Sequence, residues 1–141
     1  MTRSVSTRGR STTSSYGVQM SGLLTVAFAL SAVHTVYAYL AGIEDPGFTV
    51  TTPAAYGFYA VGFAAAVLAR REARWVQLAL LAYLALLLVV AVLWYPTTFG
   101  PRQQTAFGWF ENDGYTGLLM VAAYLGVQRL RGCSLGATHA T

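Results

Sequence analysis

His34 is the residue of this chain whose type and place most invite chemistry. It stands twelfth in an apolar stretch of 21 residues, 23–43, with Ser31 three residues before it and Tyr37 three after. That spacing lays the three side chains on one helical stripe. Tyr59, Tyr83 and Tyr124 fall inside later apolar stretches. By helical rise, Tyr83 lies about 12 Å and Tyr124 about 13 Å along its own stretch, close to the depth of His34, with Tyr59 level with Tyr37. An imidazole among phenols could line a path for a proton or a small solute. The same residues also admit a neutral imidazole simply hydrogen-bonded to a tyrosine or a backbone carbonyl. A haem ligand would need a second histidine at that depth, which only a symmetric dimer could supply.

A second group, Trp109, Glu111 and Asp113 with Phe110, precedes the last apolar stretch. It reads as a partner site on the outer surface. Alternatively, its aromatics anchor the chain at an interface and its acids begin a helix, with Asn112 or Asp113 as the cap. The single cysteine, Cys133, excludes an internal disulfide framework and a Cys-rich metal site. Lying just past the last stretch, it is either a lipidation point or an incidental thiol. His139 sits in a polar tail. No G-x-S-x-G, H-E-x-x-H, P-loop or paired-cysteine pattern occurs, so neither enzyme activity nor a metal or other cofactor is expected.

The elements that must position these residues are four apolar stretches, about 23–43, 54–69, 75–95 and 115–128. The first would cover about 31 Å as a helix, enough for a hydrocarbon core of ~30 Å. It is longer than the core of a cleavable signal, and bulky Tyr37 spoils Val36–Ala38 as a cleavage site. Glu44, Asp45, Pro46 and Gly47 should stop it. Thr52 and Pro53 should begin the second as cap and first helical residue. Arg70, Arg71, Glu72, Ala73 and Arg74 form a tight turn that makes stretches two and three antiparallel neighbours. Trp75 opens the third; Trp94 and Tyr95 close it before Pro96. Close helix approach is expected at the small-residue pairs Ala27/Ser31, Ala38/Gly42 and Gly62/Ala66.

Charge fixes the expected threading. All nine basic residues are arginine, and eight of them, Arg3, Arg8, Arg10, Arg70, Arg71, Arg74, Arg129 and Arg131, fall on alternate sides of the stretches. Glu44, Asp45, Glu111 and Asp113 fall on the other sides with Arg102. That is the positive-inside pattern with both ends in the cytoplasm. Only 10% of the residues are charged, against about 25% in a soluble domain. The net charge of +4 follows from topology and does not indicate a nucleic-acid partner. No Asp, Glu, Lys or Arg lies within a stretch, whereas ion-coupled transporters usually hold one near the midplane.

The expected fold is therefore an all-α integral membrane bundle of four transmembrane helices in the cell membrane. A disordered cytoplasmic arm, 1–17, precedes the transmembrane domain, 18–131, and a disordered tail, 132–141, follows it. The run Ala32-Val33-His34, the helix through Gly57 and Gly62, the turn Arg70-Arg71-Glu72 and the absence of lysine resemble small four-span membrane proteins of haloarchaea. Those carry no assigned activity, so the resemblance implies a fold and no chemistry. Besides a haem-binding membrane subunit built on a symmetric dimer, two function classes stay open. One is a non-catalytic accessory or structural component, partnered by the lipid bilayer and by a membrane protein or further copies of itself. The other is a small oligomeric transporter or channel lined by His34 and the tyrosines.

Overall fold

The structure, a computed structural model, describes residues 8–45, 47–98 and 105–138, with side chains over 15–45, 47–98 and 105–132. The expectations for residues 1–7, Arg102, His139 and the Cys133 side chain lie outside the described residues. Within them the protein is helical, with no strand. The elements are α1 (Arg8–Ala41), α2 (Pro53–Leu68), α3 (Arg74–Val89), a π-helical turn (Val90–Trp94), the short α4 (Tyr95–Thr98) and α5 (Ala106–Thr138).

Each boundary has a local cause. α1 begins at Arg8, inside the segment whose composition suggested a disordered arm. It ends a few residues before the acidic turn expected to stop it. Gly42 takes φ +66°, the amide of Ile43 reaches the Ala38 carbonyl at 3.0 Å, and the Gly42 amide reaches Tyr39 at 3.2 Å. This is the Schellman arrangement, which satisfies the orphan carbonyls of a helix end and favours a residue without Cβ. α2 starts as expected, with Thr52 extended at the cap (φ −89°, ψ 139°) and Pro53 first in the helix. α5 starts well before residue 115. Thr105 caps it, its hydroxyl accepting the Gly108 amide at 3.0 Å, and not Asn112 or Asp113.

α3 does not stop at Pro96. Proline lacks an amide and its ring crowds the carbonyl four residues back. The helix answers by widening: the Tyr95 amide bonds to Val90, five residues back, and the chain then continues helically through Pro96 to Thr98.

α1 and α5 form the central pair. α2 packs on α1, and α3 packs on α5. α2 and α3 share little contact although a short turn joins them, so the expected neighbour pairing of these two helices is slight. The closed part of the core contains Leu24, Phe28, Leu84 and Leu119, all but inaccessible, among small Ala27, Ala66 and Ala122. A Cβ on Gly62 would run into the Phe28 ring, so this glycine is what lets α2 approach α1. The pair Gly62/Ala66 is thus buried as expected, whereas Gly42 acts as a helix terminator.

Where arginines gather, Arg129 is buried, 2% exposed, and its Nη1 donates to the Ala69 carbonyl at 2.6 Å. That carbonyl belongs to the C-cap residue of α2, at the helix end where cations are favoured. Beside it Arg70 Nε donates to the Ser21 hydroxyl at 3.1 Å.

Two segments are long and apolar enough to cross a membrane: Ser15–Ala41, 27 residues with mean hydropathy 1.7, and Arg74–Thr98, 25 residues with mean hydropathy 2.8. α2 is apolar but has only 16 residues. α5 carries Glu111 and Asp113 near one end and Arg129 and Arg131 toward the other, which leaves a short uncharged run between.

Candidate functional site

Because α2 and α3 diverge from their connecting turn, the opposite end of the bundle is not filled. A cavity of about 340 Å³ lies there, bounded by α1, the start of α2, the widened part of α3 and the first turns of α5. The end carrying Asp45 and Glu111 is called the acidic end below, and the other the arginine end. The apolar wall includes Phe48, Phe58, Leu87 and Trp94. Polar side chains come from α1 and α5, including Ser31, His34, Thr35, Glu111, Asn112 and Tyr115, and from Asp45, Tyr95 and Thr98.

On α1, Ser31 and Thr35 are one turn apart and face α2. The Thr35 and Tyr59 hydroxyls lie 2.6 Å apart, and each can donate to the Ser31 carbonyl, at 3.1 and 3.0 Å respectively. This polar knot holds α2 to α1 and satisfies Tyr59. Phe48 folds back over Phe58 and Tyr59, with ring centroids at 5.5 and 6.1 Å. The tight turn before it, closed by the Phe48 amide on the Asp45 carbonyl at 2.9 Å, directs that ring inward. The Asp45 carboxylate accepts the Gly47 amide at 2.7 Å and stands at the cavity mouth.

On α5, the early start at Ala106 changes the positions of the residues before 115. Phe107 stacks on His34, centroids 5.7 Å apart and planes at 19°, and meets the Tyr37 ring edge-on at 4.9 Å. One turn further, Glu111 faces into the bundle and is only 4% exposed. The Ser31 side chain lies beside its carboxyl group. Two polar atoms of residues that line the cavity, His34 Nδ1 and Tyr115 Oη, are buried without a hydrogen-bond partner. Buried polar groups are normally satisfied; unpartnered atoms also occur away from the cavity, on Glu44, Gln77, Thr116 and Arg129, so these two support a site only together with the chamber.

The sequence-derived site residues are brought together only in part. His34 and Tyr37 share Phe107, while Tyr59 joins the adjacent Ser31–Thr35 knot. Tyr83 is half-buried against the core. Tyr124 is 61% exposed and lies away from the cavity, so helical depth alone misplaced it. His34 does not make the hydrogen bond from Nδ1 that a satisfied core imidazole would make. The outer-surface group divides: Trp109 and Asp113 are exposed, and Glu111 points inward. Glu111, read as part of the outer-surface group ahead of the last stretch, is instead buried within α5. The signal was present in Thr105 and Gly108, a cap and its partner three residues on. Among the described residues no three His, Cys, Asp or Glu side chains converge as a metal site would require.

What this arrangement can do is bind. It offers an aromatic wall and a buried carboxyl group among polar side chains. No family model, curated protein or solved structure matches the chain.

Proposed function

We propose that the chain is a multi-pass membrane protein, crossing four times with both termini cytoplasmic, that takes a small solute into the cavity at its outer, acidic end. It makes and breaks no bonds. The observation that carries this reading is the cavity itself: a chamber of about 340 Å³ with aromatic and apolar walls, several polar side chains and the buried carboxyl group of Glu111, the usual character of a small-molecule site. The membrane setting is supported by the charge alternation and by the exposure of large apolar side chains such as Leu40, Leu86 and Leu93 on the helix faces. α2 spans by extending its short apolar run through neighbouring residues. α5 spans because Arg129 is received by the α2 carbonyl and Glu111 by the cavity.

Two measurements test it. In a Cys133→Ser background, Asp45→Cys should react with an impermeant thiol reagent added to intact cells and Glu72→Cys should not; the reverse result inverts the threading. Purified chain reconstituted into vesicles should then bind or pass a small solute. Flux that is unchanged by His34→Leu would remove this residue from the path.

A second reading, an accessory or structural component of a larger membrane assembly, is favoured by the exposed stripe Met120, Tyr124 and Val127 along α5. It predicts copurification with a partner at fixed stoichiometry in mild detergent. Recovery as an isolated monomer would count against it.

A further inference from the structure

Taking the cavity as a solute site, we propose that its ligand is a small organic monocation, a protonated amine carried on a flat apolar body, with the ammonium directed at Glu111. The inference rests on the function proposed above and on three features of the chamber.

The first is charge. The described lining residues include two carboxylates, Asp45 and Glu111, and no arginine, and the whole chain has no lysine. Glu111 is nearly inaccessible and its polar neighbours, Ser31 and Asn112, are neutral. A carboxylate taken out of water is costly unless a cation accompanies it. An ammonium ligand supplies that cation, and Asp45 at the mouth favours its entry.

The second is hydrogen bonding. A primary ammonium has three donors and no acceptor. The chamber offers it acceptors in the Glu111 carboxylate and the Asn112 amide oxygen, while Tyr115 Oη and His34 Nδ1 of the lining residues are without a partner but covered by neighbouring atoms. An anionic ligand would meet the Glu111 carboxylate and no cationic side chain among the described lining residues.

The third is the wall. Phe48, Phe58, Trp94 and Tyr115 present ring surfaces to the chamber. Ring faces attract cations and pack flat apolar groups. A cavity of about 150 Å³ takes up benzene. The 340 Å³ here therefore accommodates an aromatic ring together with a short aminoalkyl arm.

The test uses the full chain in mild detergent at neutral pH, titrated calorimetrically with three probes of nearly equal size: 2-phenylethylammonium, 2-phenylethanol and phenylacetate. The ammonium should bind at least tenfold more tightly than the alcohol, and phenylacetate most weakly. Glu111→Gln should remove the tenfold advantage and leave the alcohol within twofold of its original affinity. Ala91→Leu, which fills the chamber from the α3 side, should weaken the ammonium and the alcohol alike. Equal binding of the three probes, or a preference for phenylacetate, overturns the cation assignment and leaves the solute site standing. Loss of all three in Glu111→Gln with helix content intact makes Glu111 structural and overturns its pairing role. Binding of none by the unaltered chain overturns both this inference and the function it rests on. The ranking on the unaltered chain needs no variant, so a misfolded Glu111→Gln would not shield the proposal.

Discussion

The two ends of this bundle are built from the same four helices under different packing rules. At the arginine end, alanines and glycines let the helices close on one another. Ala65, Ala66 and Ala69 are buried against α1, and an added Cβ on Gly126 would approach Leu81 to 2.8 Å. At the acidic end the residues are larger and more often aromatic, Pro96 disturbs the hydrogen-bond ladder, and a chamber remains. Phe28 divides the two regimes. It has no exposed surface and touches Phe58 and Tyr115 at centroid distances of 5.5 and 6.0 Å, both of which line the cavity. The contrast teaches that residue size along a helix can set a filled core and an open site within one bundle.

The largest expected effect comes from removing the divider. Phe28→Ala should cost about 3–5 kcal/mol, the usual penalty for truncating a buried aromatic, and should merge the chamber with the core. Detergent-induced unfolding followed by circular dichroism would report it. A loss under 1 kcal/mol would mean that the two regions are already continuous.

Arg129→Ala should come next, at about 2 kcal/mol, since it deletes a charged hydrogen bond to the end of α2 and empties the space of a fully buried side chain. If stability rises instead, desolvation of the guanidinium outweighs its bond. The sharpest comparison is a matched pair of enlargements. Gly126→Ala adds one methyl at the closed end and should cost about 1–2 kcal/mol through overpacking. Ala91→Leu adds more atoms at the open end yet should change stability by less than about 1 kcal/mol, because space is present. Equal penalties in the same unfolding assay would erase the distinction. The smallest effect is expected for Pro96→Ala, less than about 1 kcal/mol, which restores an amide and lets the widened turn tighten. It should show as weaker probe binding more than as a shifted melt.

The helical class and much of the element order were legible in the residues because apolar runs and breakers act locally. Thr52 and Pro53 begin α2 where their stereochemistry demands. The two clearest segments, Ser15–Ala41 and Arg74–Thr98, overlap the first and third apolar stretches. The misplacements have physical reasons. Asp113 and Asn112 are good caps, but Thr105 caps earlier, and that advance carries Phe107 to His34 and Glu111 to Ser31. Pro96 is a helix breaker, but a π turn accommodates it. Tyr124 lies at another depth: its neighbour Gly126 packs by Leu81 and Met20, whereas His34 stacks on Phe107 far earlier in α5, which a count along one helix cannot show until the register between helices is known. The cavity itself was not legible, since it arises from α2 and α3 parting after their shared turn.

The π turn at Val90–Trp94 has a consequence for how the chamber could be lost or gained. A five-residue hydrogen-bonded loop is an α-helix with one residue too many. Deleting a single residue there, Val92 for instance, would return the ladder to its ordinary phase and rotate all that follows by about 100°. Trp94 and Tyr95 would swing off the wall without any change in their identity. An opening kept in this way can be switched off by one codon, whereas refilling it by side-chain growth would take several coordinated substitutions.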